Sequence, residues 1–241
     1  MDLVKKLFQG DERSAARLIS LIEEGSSEGF EAIRLIYPHV GSAQKIGITG
    51  SPGAGKSTLT GKLAAILMDE GRHIGVIAVD PSSPEGGGAL LGDRVRMGEA
   101  DKTGRVFIRS MAHRGYPGGI AKAAIGATYI LEGLGKDTII VESIGAGQAE
   151  IQISVLCDTI VTVVTSGYGD EIQLMKTGLI EIGDIIAVNK ADKPGAQEVV
   201  QDISIHFSNT EKNGWKIPVV AVSSLTGEGF ETLKNNISRH F

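Results

Sequence analysis

The spacing of apolar residues along this chain changes near residue 45. Before that point they recur at intervals of three and four, as in Leu18, Ile19 and Ile22, which is the spacing of one helix face. One such stretch, Asp11–Gly25, opens with acidic residues and closes at a glycine, and the next, Ser26–Pro38, ends at a proline. Both patterns are typical of capped helices, so the sequence predicts two helices in this part of the chain.

After residue 45, short runs rich in β-branched residues alternate with stretches of helical spacing. Several runs are apolar on both faces, as parallel strands are when helices cover both sides of the sheet. The alternation predicts an α/β fold: a doubly wound, mostly parallel sheet with helices on both faces and its site at the carboxyl ends of the strands. The predicted strands are 45–50, 73–80, 105–110, 137–143, 158–164, 184–190 and 217–224.

The first predicted strand runs directly into Gly50–Ser57, which reads GSPGAGKS and fits the phosphate-loop pattern G-x-x-x-x-G-K-[ST]. In this pattern backbone N–H groups surround a phosphate, the lysine reaches the β- and γ-phosphates, and the hydroxyl ligates Mg²⁺. The alternative is a glycine-rich turn without a ligand, but every fixed position is filled between a strand and a helix. The predicted phosphate contacts are Gly53, Ala54, Gly55, Lys56, Ser57 and Thr58. The chain therefore divides into a helical extension over residues 1–44 and a P-loop NTPase domain over residues 45–241.

The sequence NKAD at Asn189–Asp192 follows the sixth predicted strand and fits N-K-x-D. A carboxylate at Asp192 accepts two hydrogen bonds from guanine, through N1–H and the exocyclic amine, whereas adenine has no such donor pair. A solvated loop is the alternative for these residues, Lys190 included. The turn after the last strand, Ser223–Gly229, is placed to offer backbone N–H groups to the guanine carbonyl, and its candidates are Ser223, Ser224 and Leu225. GTP and GDP are the predicted nucleotides.

Three carboxylates at or after predicted strand ends are candidates for the Mg²⁺ site: Asp80, Asp93 and Glu142. Hard oxygen ligands near the γ-phosphate suit this ion, although each residue could instead be a surface or helix-capping carboxylate. Glu142 begins the sequence ESIG, which leaves the Gly145 N–H to contact the γ-phosphate. The next residue is Ala146 rather than a glutamine that orients water, so we expect slow unaided hydrolysis.

Composition narrows the class of partner. The 241 residues carry a formal net charge of −5, which argues against a nucleic-acid partner. The single cysteine suits a reducing compartment. The sequence shows neither a membrane span nor an apolar leader segment. We therefore expect a cytoplasmic protein without a nucleic-acid or membrane partner.

Taken together, the motifs resemble the MeaB/ArgK-type GTPases, a branch of the metallochaperone-related P-loop GTPases. The similarity runs from about Ala15 to Phe241. Its most specific parts are the segments FIRSMAHRG and GDEIQLMKTGLIEI, and it also includes VDPSSPEGGGALLGDRVRM and VESIGAGQAE. The resemblance implies a GTPase that chaperones adenosylcobalamin-dependent acyl-CoA mutases such as methylmalonyl-CoA mutase. It also implies a role in cofactor loading and protection, with the mutase's adenosyltransferase as a second candidate partner.

The resemblance also implies roles for individual residues. Lys56 and Ser57 would contact phosphate and Mg²⁺, with Asp80, Asp93 and Glu142 in the metal shell. Switch segments are implied at 93–97, 143–150 and 165–176, and Lys176 resembles the family lysine that couples the mutase to GTP hydrolysis. The bare sequence favours an ordinary helix lysine there. Lys56, Glu142 and Lys176 are the predicted catalytic residues.

Two departures from the family pattern bear on assembly and on one loop. The family carries a C-terminal helical arm that forms a homodimer, whereas this chain ends at KNNISRHF, and Glu85 stands where an aromatic–threonine pair is expected. Dimerisation through that arm is therefore in doubt, and a homodimer stays open as an alternative. Three other functions stay open: a metallochaperone GTPase of the hydrogenase or urease type, a small-molecule kinase, and a nucleotide-gated binding module. The single cysteine and the scattered histidines disfavour a metallochaperone of this type. A kinase would need a general base, and the sequence identifies none.

Overall fold

The computed structural model describes residues 2–80, 105–112, 119–143, 153–165, 180–208 and 210–241. The helices within these ranges are α1 (Asp2–Leu7), α2 (Glu12–Glu23), α3 (Ser27–Ile36), α4 (Lys56–Asp69), α5 (Gly119–Gly133), α6 (Ala196–Phe207) and α7 (Phe230–His240), with a 3₁₀ turn at Tyr37–His39. The strands are β1 (Gln44–Gly50), β2 (Ile74–Asp80), β3 (Val106–Ala112), β4 (Thr138–Ser143), β5 (Thr159–Thr165), β6 (Ile185–Asn189), β7 (Glu211–Lys212), β8 (Trp215–Lys216) and β9 (Val219–Ala221).

The described strands form one seven-stranded sheet in the order β3-β2-β4-β1-β5-β6-β9, and β7 and β8 form a separate antiparallel hairpin. The pairs β2–β3, β1–β5, β5–β6 and β6–β9 are parallel. Every residue of β4, β5 and β6 is buried, as expected when helices cover both faces of a parallel sheet. The predicted α/β fold of the P-loop NTPase type is confirmed.

Residue contacts group the chain into two compact units, one of residues 1–45 and 64–141, the other of residues 46–63 and 142–241. The division into an extension over residues 1–44 and a GTPase domain over residues 45–241 stays a prediction. Among the described residues, no helix is both long and apolar enough to cross a bilayer.

In the first unit, the predicted N-terminal helices are present with their caps. The Asp11 carboxylate accepts from the Ser14 N–H at 3.0 Å at the start of α2, and the Ser26 hydroxyl accepts from the Glu28 N–H at 3.2 Å before α3. Both helices contact α5. Each cap satisfies a backbone donor that the first helical turn leaves unpaired.

A buried ion pair fastens α2 to the edge strand β3. The Arg109 guanidinium donates to the Glu23 carboxylate at 2.5 Å and to the Ser20 hydroxyl at 3.0 Å. The Glu23 side chain is 5% exposed and the Arg109 side chain 22% exposed, so water reaches the ion pair mainly from the arginine side. Arg109 belongs to the segment FIRSMAHRG, and this residue helps to hold α2 on the sheet.

Glu132, near the end of α5, binds the backbone that leads into β1. One carboxylate oxygen accepts from the N–H groups of Gly41, Ser42 and Ala43 at 2.5, 2.5 and 2.9 Å, and the Lys45 ammonium lies 3.8 Å from the other oxygen. Burial raises the pKa of Glu132, but these N–H groups and the lysine outweigh burial and hold the pKa below its ordinary value. Glu132 is therefore ionised in the folded protein at neutral pH.

Replacing Glu132 with Gln should lower the free energy of unfolding by about 1–3 kcal/mol at pH 7, because the three donors lose a charged acceptor. A lowered folded-state pKa contributes stability above the unfolded pKa, and that contribution disappears as the pH falls through the folded value. The difference between wild type and variant should therefore shrink below pH 4.5, the ordinary glutamate value. Urea unfolding at several pH values measures it, with exposed Glu31→Gln as control. A difference that does not change with pH would contradict an ionised Glu132.

Candidate nucleotide-binding site

The predicted phosphate loop connects β1 directly to α4. β1 ends at Gly50 and α4 begins at Lys56, so the loop lies at the positive end of a helix, where anions bind. The Lys56 side chain is 7% exposed, and its ammonium donates to the carbonyls of Gly50 and Ser51, both at 2.9 Å. These bonds fold the lysine over the loop, at the place where a phosphate would be held.

Two of the loop glycines cannot be replaced without a clash. Gly50 has φ +140°, and a Cβ there would lie 2.0 Å from the Val163 carbonyl oxygen of β5. Gly55 has φ +88°, and a Cβ would lie 2.5 Å from the Asn189 Nδ2 atom. Both backbones adopt conformations that favour glycine and lie against neighbouring atoms that leave no room for a side chain.

Asn189, the last residue of β6, connects the phosphate loop to the turn after β9. Its Nδ2 group donates to the Ala54 carbonyl at 2.9 Å, and its Oδ1 atom accepts from the Ser224 hydroxyl at 2.9 Å and the Ser224 N–H at 3.2 Å. The Asn189 side chain is buried. Nearby, the Lys190 ammonium donates to the Gly53 carbonyl at 2.8 Å. The N-K-x-D segment therefore holds the phosphate loop from one side.

Asp192 presents its carboxylate at the exposed surface beside this network. The buried Ser223 hydroxyl donates to Asp192 Oδ1 at 2.6 Å. This hydrogen bond is the main reason that the pKa of the Asp192 carboxyl lies below its ordinary value. The same Ser223 oxygen accepts from the Thr226 N–H at 3.2 Å, so one hydroxyl fixes both the turn and the carboxylate. Leu225, which lies between Ser223 and Thr226 in this turn, is 83% exposed.

The Ser57 hydroxyl and the Glu142 carboxylate meet at the end of β4. Ser57 Oγ donates to Glu142 Oε1 at 2.5 Å, and Glu142 is only 2% exposed. The next residue, Ser143, donates its hydroxyl to Thr49 Oγ1 at 2.9 Å. Two oxygen-bearing side chains from separate elements therefore converge beside the start of α4, and their predicted role as metal ligands stays a prediction.

The other predicted site residues divide into two groups. Thr58 lies exposed in the first turn of α4, and Asp80 is the last residue of β2. Asp93, Gly145 and Lys176, together with the predicted switch segments at 93–97 and 166–176 and residues 144–150, lie outside the described residues. The sequence did not reveal that Gly50, Ser51 and Ser224 supply partners to Lys56 and Asn189, because those contacts depend on tertiary packing.

The fold and this arrangement of loops define a P-loop nucleotide-binding protein. The family model described as methylmalonyl Co-A mutase-associated GTPase MeaB matches residues 15–241. The chain therefore belongs to the MeaB family, and it is a GTPase, as the sequence predicts.

Two relatives and one solved structure agree with this assignment. A Pyrococcus horikoshii protein named as a GTPase is 46% identical over 243 residues, covering 99% of this chain and 77% of the relative. GTPase ArgK of Escherichia coli is 32% identical over 239 residues, covering 95% and 72% respectively. The crystal structure of an LAO/AO transport system kinase matches with a TM-score of 0.79 at 25% identity, covering 99% of this chain and 74% of that one.

Proposed function

We propose that this GTPase is a chaperone that gates adenosylcobalamin loading and protection in a partner acyl-CoA mutase of the methylmalonyl-CoA type. The observation that supports this most directly is the match over residues 15–241 to a family described as methylmalonyl-CoA mutase-associated. The local geometry supports the GTPase half of the proposal. The proposal of a mutase partner rests on the match to the MeaB family alone.

In this proposal the site divides the nucleotide between two sets of residues. Lys56 and the backbone of the phosphate loop bind the phosphates, because a cation and the amino end of α4 both favour negative charge. Asp192 binds the guanine donors, and Ser223 orients it. Asn189 holds the phosphate loop and the turn after β9 together through its contacts with Ala54 and Ser224.

We assign Mg²⁺ to Ser57 and Glu142. The fit rests on the donor set, since a hydroxyl and a buried carboxylate meet at 2.5 Å, and Mg²⁺ is bound through oxygen ligands and water. Bound there, the ion would neutralise charge on the phosphates. The chain's own part is to hold Ser57 and Glu142 together. Asp80 and Asp93 remain additional proposed ligands on the strength of the sequence alone.

The partner would stimulate hydrolysis through residues 165–176. In the sequence, Gly167 and Gly169 flank Tyr168 before an acidic pair and Lys176, and glycines allow alternative backbone conformations. Partner binding would select the arrangement that brings the Lys176 ammonium toward the phosphates, where a cation stabilises transition-state charge. Because linkage is reciprocal, nucleotide state would also alter affinity for the mutase.

The test is GTP hydrolysis measured with and without an adenosylcobalamin-dependent methylmalonyl-CoA mutase. We expect slow turnover alone and a severalfold or greater stimulation by the mutase. In Lys176→Ala the stimulated component should be lost. Turnover without the mutase should stay within about twofold, less than about 0.4 kcal/mol in barrier, because Lys176 acts only in the complex.

Exposed Lys5→Ala serves as the matched control and should retain full stimulation. If stimulation survives in Lys176→Ala, another group carries the signal from the mutase. If no mutase changes the rate and no complex forms in analytical ultracentrifugation, the chaperone proposal is wrong, although the assignment as a GTPase stands.

A further inference from the structure

The phosphate loop crosses the end of a strand that the proposed nucleotide contacts do not use. The loop leaves β1 at Gly50, the register partner of Val163 on β5, and further along its Ala54 carbonyl accepts from Asn189 on β6. In the sheet, β5 lies between β1 and β6. The loop therefore passes over the carboxyl end of β5, and the last residue of that strand is Thr165.

The Thr165 side chain lies on the same face of the sheet as the loop. Thr165 is the register partner of Asn189, and paired residues of neighbouring parallel strands point to one face, because side chains alternate along each strand. The Asn189 amide lies 2.9 Å from the Ala54 carbonyl and 3.5 Å from the Gly55 carbonyl. Adjacent strands are about 4.8 Å apart, so the Thr165 side chain lies beside Asn189 and beneath the loop.

The Thr165 hydroxyl has no hydrogen-bond partner within the part of the chain that the structure describes. The residue is only 6% exposed. A buried donor without a partner costs free energy, whereas a valine of similar shape would fill the position without that cost. The strand reads TIVTVVT and already contains valines at three positions. The threonine at its end therefore indicates that another arrangement of the site supplies a partner.

The loop contains an acceptor that a bound phosphate would release. The Lys56 ammonium donates to the Gly50 and Ser51 carbonyls, both at 2.9 Å. A nucleotide would attract this ammonium toward its β- and γ-phosphates, which weakens the bonds to these carbonyls. A buried carbonyl that loses its donor needs another. Ser51 follows the pair Gly50–Val163, as Thr165 does on β5, so its carbonyl is the nearer of the two to Thr165.

We propose that Thr165 is a positioning residue of the nucleotide site, which bonds to the phosphate loop when a nucleotide is bound. As the Lys56 ammonium turns toward the phosphates, the Thr165 hydroxyl donates to the Ser51 carbonyl. This bond stabilises the loop with nucleotide relative to the loop without it, although Thr165 does not touch the nucleotide. The inference rests on the proposed assignment of the phosphates to Lys56 and the loop.

Thr165→Val should weaken GDP binding about three- to tenfold in the presence of Mg²⁺, because the bound form loses a hydrogen bond between neutral groups. Without nucleotide the variant should melt at or above the wild-type temperature, since no hydrogen bond of Thr165 is lost there. Thr165→Ser keeps the hydroxyl and should bind GDP within about twofold of wild type. Calorimetric titration of the full chain measures affinity, and thermal melting with and without saturating GDP measures stability.

Thr159→Val on the same strand is the matched control. Thr159 is also buried, and its hydroxyl lies 2.9 Å from His240 Nδ1 at the other end of β5, about 20 Å from Thr165 at roughly 3.3 Å per residue. This substitution removes a hydrogen bond that the structure contains, so it should lower the melting temperature and leave GDP affinity unchanged. The two valine variants should therefore show opposite effects on affinity and stability.

Wild-type GDP affinity in Thr165→Val would overturn the proposal. Equal weakening in Thr165→Ser would also overturn it, since the hydroxyl would then not be the group that matters. A Thr165→Val protein that is unfolded, or that melts below wild type without nucleotide, would reveal a structural role instead. Lys56→Ala tests the phosphate site separately: it should abolish GDP binding, and wild-type affinity in that variant would reject the site itself.

Discussion

Replacing Asp192 with Asn is expected to weaken GTP binding by about ten- to a hundredfold and to create affinity for xanthosine triphosphate. A hydrogen bond to a charged group contributes about 1.5–3 kcal/mol, and the substitution removes the carboxylate that guanine's two donors would meet. Xanthine carries a carbonyl in place of the exocyclic amine, and an asparagine amide can donate to it. The nucleotide preference should therefore reverse rather than merely weaken.

The measurement is calorimetric titration of both nucleotides into wild type, Asp192→Asn and the distant control Asp202→Asn. The lowered pKa of Asp192 keeps the wild-type carboxylate ionised at neutral pH, and all titrations are compared at one buffer pH because xanthine itself loses a proton near neutrality. Unchanged GTP affinity in Asp192→Asn would remove this residue from the base site.

Replacing Glu142 with Gln should slow Mg²⁺-dependent GTP hydrolysis by about ten- to a hundredfold while leaving GDP affinity nearly intact. This loss corresponds to about 1.4–2.8 kcal/mol in the barrier. Glutamine keeps the size of the side chain, so it can still contact the Ser57 hydroxyl, but it removes the negative charge that we assign to the metal. The substitution should therefore change hydrolysis at the γ-phosphate, while contacts to the base and to GDP should be unchanged.

The decisive assay is a Mg²⁺ titration of the hydrolysis rate, accompanied by GDP calorimetry. Exposed Glu198→Gln on α6 controls for loss of one negative charge in the same unit. If Glu142→Gln hydrolyses GTP at the wild-type rate across the titration, the metal assignment is wrong. A large loss of GDP affinity would instead indicate that the variant damages the phosphate loop.

Much of the fold could be predicted because its strands are buried on both faces. β6 reads IIAVN, and all five residues are buried, so an unbroken apolar run was sufficient to locate it. The helix starts at Asp11 and Ser26 could be predicted because capping is local chemistry between residues two or three apart. These elements depend little on distant parts of the chain.

The hairpin β7–β8 was missed, although it carries a local signal. Asn213 and Gly214 form its turn with φ +53° and +79°, and Asn-Gly is the preferred pair for such a turn. Its strands are only two residues long, too short for an alternating pattern to show. The contact that fixes it to β6, in which the Trp215 indole N–H donates to the Asp184 carbonyl at 2.8 Å, could not be predicted, because it depends on tertiary packing.

In the candidate site, too, local patterns predicted individual residues but not the contacts between them. The motifs predicted Lys56, Ser57, Glu142 and the N-K-x-D segment, since each motif specifies a residue type at a fixed spacing. They could not predict that the Asn189 amide reaches the Ser224 hydroxyl, 35 residues further along the chain, because no pattern specifies that pair. Contacts between motifs depend on strand order and burial, which sequence spacing does not encode.

The double attachment of Asn189 joins the phosphate loop to the turn after β9 through one side chain. Its Nδ2 group and its Oδ1 atom belong to one planar amide, so a rotation of that amide would break the contacts with Ala54 and with Ser224 together. Movements of the phosphate loop and of this turn should therefore be correlated. Leu225 protrudes from the same turn with 83% of its surface exposed, so a displacement of this turn would be transmitted to the phosphate loop through Asn189.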